Sequence, residues 1–224
     1  PSNPNKYLTA SQKLYKLLIS PLEPELQKQG INTLLFSLDP AMRSIPFAAL
    51  HDGEKFLIEK YSMGLIPSIN MTDTSYKNIK DLSVLAMGAS DFQDPNIVSL
   101  PAVPLELKMI RQNWRGKIFF DESFTLENLQ KQRIKQGARI VHLATHGSFQ
   151  PSAPNDSFIQ LWNEQLKFDE LRKLAKNGEP IELLVLSACE TAFGNLDAEL
   201  GFAGLAVQAG VKSVLASLWQ VDDG

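Results

Sequence analysis

From about residue 82 onward, short apolar runs that do not alternate with polar residues are separated by amphipathic segments of helical length. The runs cover residues 82–87, 117–120, 138–144, 183–186 and 211–219. The segments between them cover residues 105–114, 125–136, 168–176 and 201–208. A strand that is apolar on both faces must be covered on both faces, and strands alternating with helices imply parallel pairing. This rhythm constrains the chain more than any other feature. It predicts an α/β fold built on a mostly parallel, twisted sheet with helices on both faces.

Local signals agree with that reading. Pro104 stands at or near the first position of the 105–114 helix. Thr125 and Asn128 lie near the start of the 125–136 helix and Gly137 closes it. Asn177 and Gly178 end the 168–176 helix, and Gly210 closes the 201–208 helix. Residues 155–168 read as a short hairpin or loop. The basic stretch 131–135 reads as a solvated helix face.

The first third has a different texture. Residues 5–29 read as helical, with Leu14, Leu17, Leu18 and Leu26 as a stripe broken at Pro21 and Pro24. Short β-type runs are expected at 33–38, 56–61 and 62–67. Residues 43–47 are expected to be extended, because Pro46 disfavours helix before it. His51, Asp52 and Gly53 give an Asp-Gly turn signal, and His51 has no evident partner. Residues 1–80 are therefore expected to form a hairpin-rich α+β subdomain packed on a core of residues 81–224.

In a 224-residue chain, 44% apolar residues allow a substantial core. A net charge of −3 leaves no electrostatic footprint for nucleic acid or anionic lipid. No apolar stretch reaches the roughly 18 residues of a membrane helix, so no membrane partner is expected. A single cysteine cannot form an internal disulfide, which favours a reducing, cytoplasmic compartment. The chain opens on Pro1 and stops at Gly224 directly after an expected strand. It is expected to be a piece of a longer protein.

Two apolar runs end on a reactive side chain followed by turn chemistry. The run 138–144 leads to His146 and Gly147; the run 181–188 leads to Cys189. Sites in open α/β sheets form outside the carboxyl ends of the strands, and a thiol and an imidazole brought together there make a nucleophile and its base. The competing readings are a buried structural cysteine and a core histidine with a partner. The placement of both residues at strand exits favours chemistry. His142 has the same strand parity as His146 and, lying mid-strand, reads as a structural or supporting residue. Asp222 and Asp223 follow the last run and read either as a solvated loop or as a charged wall of the same crevice. No C-x-x-C, H-E-x-x-H or phosphate-binding glycine loop is present, so neither a metal nor a cofactor is expected.

The order His then Cys resembles that of caspase-like cysteine peptidases. Three stretches together narrow the resemblance: VHLATHG (141–147), LSACETA (186–192) and GVKSVLASLWQVDD (210–223). With RSIPFAAL (43–50), they look like the CHAT domain, a caspase-like domain commonly found beside tetratricopeptide repeats in bacterial proteins. The resemblance covers roughly residue 30 onward. It implies a caspase-like three-layer sandwich, with His146 as general base, Cys189 as nucleophile, and the Gly147 and Cys189 N–H groups as the oxyanion hole. It implies a protein substrate cleaved through an acyl-enzyme, and activation by a flanking region with helical repeats or by a separate protein partner. The sequence departs from the caspase pattern at Ser187 and Glu190, so cleavage after Asp is not implied. Ser187 is read as a supporting residue. By resemblance to separase, Asp223, with Asp222 beside it, matches an acid that receives a basic P1 residue, and Glu199 adds charge. A catalytically silent interaction module and a cysteine acyl transferase remain the alternatives.

Overall fold

The computed structural model describes residues 4–43, 45–66, 69–72, 78–148, 150, 153–188 and 201–216. The chain divides into two compact units, Pro1–Thr74 and Ser75–Gly224.

In the first unit, helix α1 (Pro4–Leu18) is followed by α2 (Glu23–Lys28), with Pro24 in the first turn of α2 where its missing N–H costs nothing. Strand β1 (Thr33–Phe36), the single-turn helices α3 (Pro40–Arg43) and α4 (Leu57–Lys60), and strand β2 (Ser62–Leu65) complete it. Four expectations are corrected here. Residues 57–60 are helical rather than extended: the Glu59 carboxylate accepts the Phe56 N–H at 2.7 Å, and Leu57 and Tyr61, four apart, are both buried. Residues 43–47 are not one extended stretch, because Arg43 ends α3 and a 3-10 turn begins at Phe47. The unit is also not hairpin-rich, since β1 and β2 pair in parallel, Thr33 opposite Ser62 and Phe36 opposite Leu65. Parallel pairing requires a long crossover, and residues 37–61 supply it. The Asp-Gly turn survives as a single antiparallel bridge between His51 and Phe56. His51 does have partners: its Nδ1 accepts the Gly53 N–H at 3.0 Å and its ring meets Phe56 edge-on.

Tyr15, Ile19, Phe47, Leu50, Leu57 and Tyr61 form the core of this unit. Lys60 ties its elements together. Its ammonium donates to Tyr15 Oη at 2.8 Å, to Asp52 Oδ2 at 3.0 Å and to Glu23.

The second unit contains a five-stranded sheet of order β10-β9-β5-β3-β4, in which every pair is parallel. Its strands are β3 (Val84–Gly88), β4 (Gly116–Phe120), β5 (Ile140–Ala144), β9 (Leu183–Ser187) and β10 (Val214–Ala216). Helices α5 (Val103–Asn113), α6 (Leu126–Gln136), α7 (Phe168–Lys176) and α8 (Gly201–Ala209) separate them. A small antiparallel sheet, β6 (Gly147–Ser148), β7 (Phe158–Gln160) and β8 (Gln165–Lys167), is inserted after β5.

The period-two alternation of a strand sorts side chains onto two faces. Leu85, Met87, Val141, Leu143, Leu184 and Leu186 pack with Leu129 of α6, Leu171 and Leu174 of α7, and Ala206 of α8. Val84, Ala86, Ile140 and Ala144 pack with Val103 and Leu107 of α5. Helices therefore cover both faces. The caps are those the residue types dictate: Thr125 Oγ1 accepts the Asn128 N–H at 3.2 Å, and Gly137 takes a left-handed φ of 57°. The basic stretch 131–135 is not wholly solvated. Arg133 shares a helix side with buried Leu129, and its buried guanidinium donates to the carbonyls of Asn177 and Glu179.

The connectivity locates the site. From β3 the chain crosses α5 to β4 on one side, then returns through α6 to β5 on the other side. The strand order thus reverses between β3 and β5, and ligand crevices open outside the carboxyl ends of strands at such a reversal.

Candidate active site

His146 lies two residues beyond the end of β5, at the strand-order reversal. Thr145 extends the ladder by one bond, its N–H donating to Ser187 O at 3.0 Å. The Thr145 hydroxyl donates to Gln160 O at 2.6 Å, which draws the chain out of the parallel sheet and into the antiparallel one. The Gln160 N–H donates to His146 O at 2.8 Å, flanking the Gly147–Ile159 pair. That makes Gly147 and Ile159 a non-hydrogen-bonded pair, so the Gly147 N–H points away from β7. Gly147 is buried.

The imidazole of His146 is held by the segment that leaves β3. Its Nε2–H donates to the Val98 carbonyl at 2.6 Å, and its ring lies 5.3 Å from that of Phe92, tilted by 36°. A carbonyl oxygen can only accept, so in the neutral ring the proton sits on Nε2 and the lone pair on Nδ1. Nδ1 is then the nitrogen able to take a proton. The supporting segment is itself anchored. Asp121, at a left-handed φ of 46°, accepts the N–H groups of Ser90 and Asp91 at 2.9 and 3.3 Å. Leu100 N–H donates to Ser90 O at 2.8 Å, closing the loop. Gly88 permits the close approach of β3, β5 and α5 here. A Cβ at that position would lie 2.5 Å from Ala144 O and 2.9 Å from Val103 Cγ1.

His142 and Ser187 lie on the α5 side of the sheet. His142 Nε2–H donates to Glu106 Oε1 at 2.9 Å, and the Ser187 hydroxyl donates to Glu106 Oε2 at 3.1 Å. Burial would raise the Glu106 carboxyl, but the bonds from His142 and Ser187 outweigh it and hold the group below its ordinary value of 4.5. Glu106 escaped the motif reading because an acidic residue in a first helical turn looks like ordinary dipole stabilisation. One signal was present: 103, 106, 107 and 110 form an inward helical stripe, and Glu106 is its one charged member. Val98 offered no signal, since it acts through its backbone.

Ala144 and Ser187 are partners across β5 and β9. In sequence, His146 and Cys189 each follow these partners by two positions. Cys189, Glu199, Asp222 and Asp223 lie outside the described residues. Among the described residues, no cluster of three or more His, Cys, Asp or Glu side chains is placed to hold a metal ion. No helix there is long and apolar enough to cross a membrane.

No curated protein matches the chain. Among solved structures, a structural-genomics protein from Geobacter sulfurreducens is similar at 16% identity and a TM-score of 0.37. That similarity spans 58% of this chain and 59% of the other. The family profile described as the CHAT domain matches residues 8–224. The chain therefore belongs to the CHAT-domain family, which is related to the caspase-like cysteine peptidases.

Proposed function

We propose that residues 81–224 form a caspase-like sandwich acting as a cysteine endopeptidase, with residues 1–80 as its amino-terminal part. The observation that carries this reading is the register of β5 and β9. The pairing of Ala144 with Ser187 supports it, because His146 and Cys189 each follow one of these two residues by two positions in sequence.

In this mechanism His146 Nδ1 takes the proton of the Cys189 thiol. The thiolate adds to the scissile carbonyl carbon, and the N–H groups of Gly147 and Cys189 donate to the developing oxyanion. The outward direction of the Gly147 N–H supports that role. His146 returns its proton to the leaving amine as the C–N bond breaks. Water, deprotonated by His146, then attacks the thioester, and the carboxylic acid leaves as the thiol re-forms. The Val98 carbonyl holds the imidazole in the tautomer this sequence needs. Asp223, with Asp222 and Glu199, would favour Arg or Lys at P1 by charge-assisted hydrogen bonds. The substrate is a protein, the compartment is the cytoplasm, and a flanking helical-repeat region or separate partner protein completes the active state.

The test is hydrolysis of a mixed peptide library by the wild type, Cys189→Ala and His146→Ala, each alone and with its flanking region. Each substitution is expected to abolish turnover, and the double variant to be no worse than either single one. Mass spectrometry should detect the acyl-enzyme on Cys189 in the wild type. Turnover that survives Cys189→Ala would overturn the proposal.

A further inference from the structure

Among the described residues, the apolar layer between the sheet and α5 is interrupted by one group of three polar side chains. Glu106, His142 and Ser187 sit among Val84, Ala86, Val103, Leu107, Ile140 and Ala144. His142 is only 9% exposed. The Glu106 side chain keeps 32% of its surface exposed, but burying the imidazole is costly, and well-packed apolar residues at such positions are often at least as stable. Stability alone therefore gives no reason for this group.

What the group connects gives one. Glu106 Oε1 holds His142 of β5, and Oε2 holds Ser187 of the adjacent β9. His142 stands four residues before His146, and Ser187 two residues before Cys189. Across the ladder His142 is opposite Val185 and Ala144 is opposite Ser187, so Glu106 spans the two strands diagonally on one face. The lead-in to the same helix carries Val98, whose carbonyl accepts from the His146 ring. One helix and its preceding loop thus touch the strand that leads to His146, the strand that leads to Cys189, and the His146 ring itself.

We infer that Glu106 is a positioning residue. By joining His142 to Ser187 it locks the exits of β5 and β9 in register under α5, and so sets the geometry between the imidazole of His146 and the thiol that follows β9. The inference rests on the cysteine-peptidase reading. Glu106 acts through His142 and Ser187 and touches no reacting atom. A serine hydroxyl can accept as well as donate, so a glutamine at 106 can keep both bonds without the charge. An alanine can keep neither.

The chain has a single cysteine, so alkylation by iodoacetamide reports Cys189 alone and needs no substrate. The second-order rate constant is measured across pH 5–10 for the wild type, His146→Ala, Glu106→Ala, Glu106→Gln and Ser187→Ala, each with its far-UV spectrum checked. In the wild type, the imidazole is expected to keep the thiol reactive well below the ordinary cysteine pKa of about 8.5. His146→Ala should remove that low-pH reactivity. Glu106→Ala should slow alkylation at pH 7 by about tenfold, as expected for misplacing one partner of a pair. Glu106→Gln should restore most of the rate. Ser187→Ala removes one of the two bonds, so it should give a smaller loss and serves if Glu106→Ala does not fold. A wild-type profile in Glu106→Ala, or in Ser187→Ala if only that variant folds, overturns the positioning role when His146→Ala has altered the profile. An unchanged profile in His146→Ala overturns the dyad itself and this inference with it. Equal losses in Glu106→Gln and Glu106→Ala would mean that charge, rather than the two bonds, is what acts, and would also overturn it.

Discussion

The two faces of the five-stranded sheet are built from the same strands with opposite parity, yet they serve different ends. The face beneath α6, α7 and α8 has an apolar centre, with Leu85, Met87, Val141, Leu143 and Leu184 all removed from water, and among the described strand residues its one charged side chain, Lys117, stands exposed on the edge strand β4. The face beneath α5 interrupts its apolar surface with Glu106, His142 and Ser187. Alternation along a single strand lets each face be composed independently. Dispersion and water exclusion dominate the first face, and directional bonds next to the strand exits dominate the second.

The largest effect expected to break this contrast is on the apolar face. Leu143→Ala should lower stability by about 3 kcal/mol, because a fully buried leucine leaves a cavity that the packed sheet cannot fill. Denaturant unfolding measures it, and the alkylation rate of the folded fraction should stay near that of the wild type. Changes on the α5 face should show the reverse balance. Glu106→Ala should cost less, about 2 kcal/mol, because it strands the buried His142 without an acceptor. Its effect on thiol reactivity should be the larger one. Combining Glu106→Leu with His142→Leu and Ser187→Ala should recover stability to within about 1 kcal/mol of wild type, since all three polar partners are then gone. Failure to recover would mean that the polar group is needed for folding as well.

A smaller effect is expected from Thr125→Ala, which removes the cap of α6 and should cost about 1 kcal/mol with no change in reactivity. The smallest concerns acid. The Glu106 carboxyl is held below its ordinary value in the folded protein, so its contribution is fully present above about 4.5. That contribution is lost as pH falls through the lowered folded value. The wild type should therefore lose more stability between pH 6 and pH 3 than Glu106→Gln does. Equal losses in urea titrations at the two pH values would show that the bonds to His142 and Ser187 do not favour the ionised form.

Legibility followed the range of the signal. Helix α7 was readable to the residue because its apolar stripe, Phe168, Leu171, Leu174 and Ala175, is a local period. The exit of β5 at His146 was readable because an apolar run followed by Thr145 and Gly147 is local as well. Residues 57–60 misled because a four-residue helix has too little length to show its period against a β-type composition. Within the site, the bonds of Glu106 to His142 and Ser187 span 36 and 81 residues, and that of His146 to Val98 spans 48. No spacing rule links residues so far apart.

While the small sheet of β6, β7 and β8 was legible only as a hairpin or loop at 155–168, the sequence by itself determined the strands of the parallel sheet and the helices of the second unit, the caps of α6, and the family to which the chain belongs. These depend on periodicity and on short motifs, which the order of residues carries directly. Tertiary structure alone decided that β1 and β2 run in parallel, that Arg133 is buried, that the Val98 carbonyl selects the tautomer of His146, and that Glu106 joins two strands. Each of these depends on which groups, distant in sequence, meet once the unit that holds them has folded. A hydrogen bond is set by that meeting, and residue type only limits who can donate and who can accept.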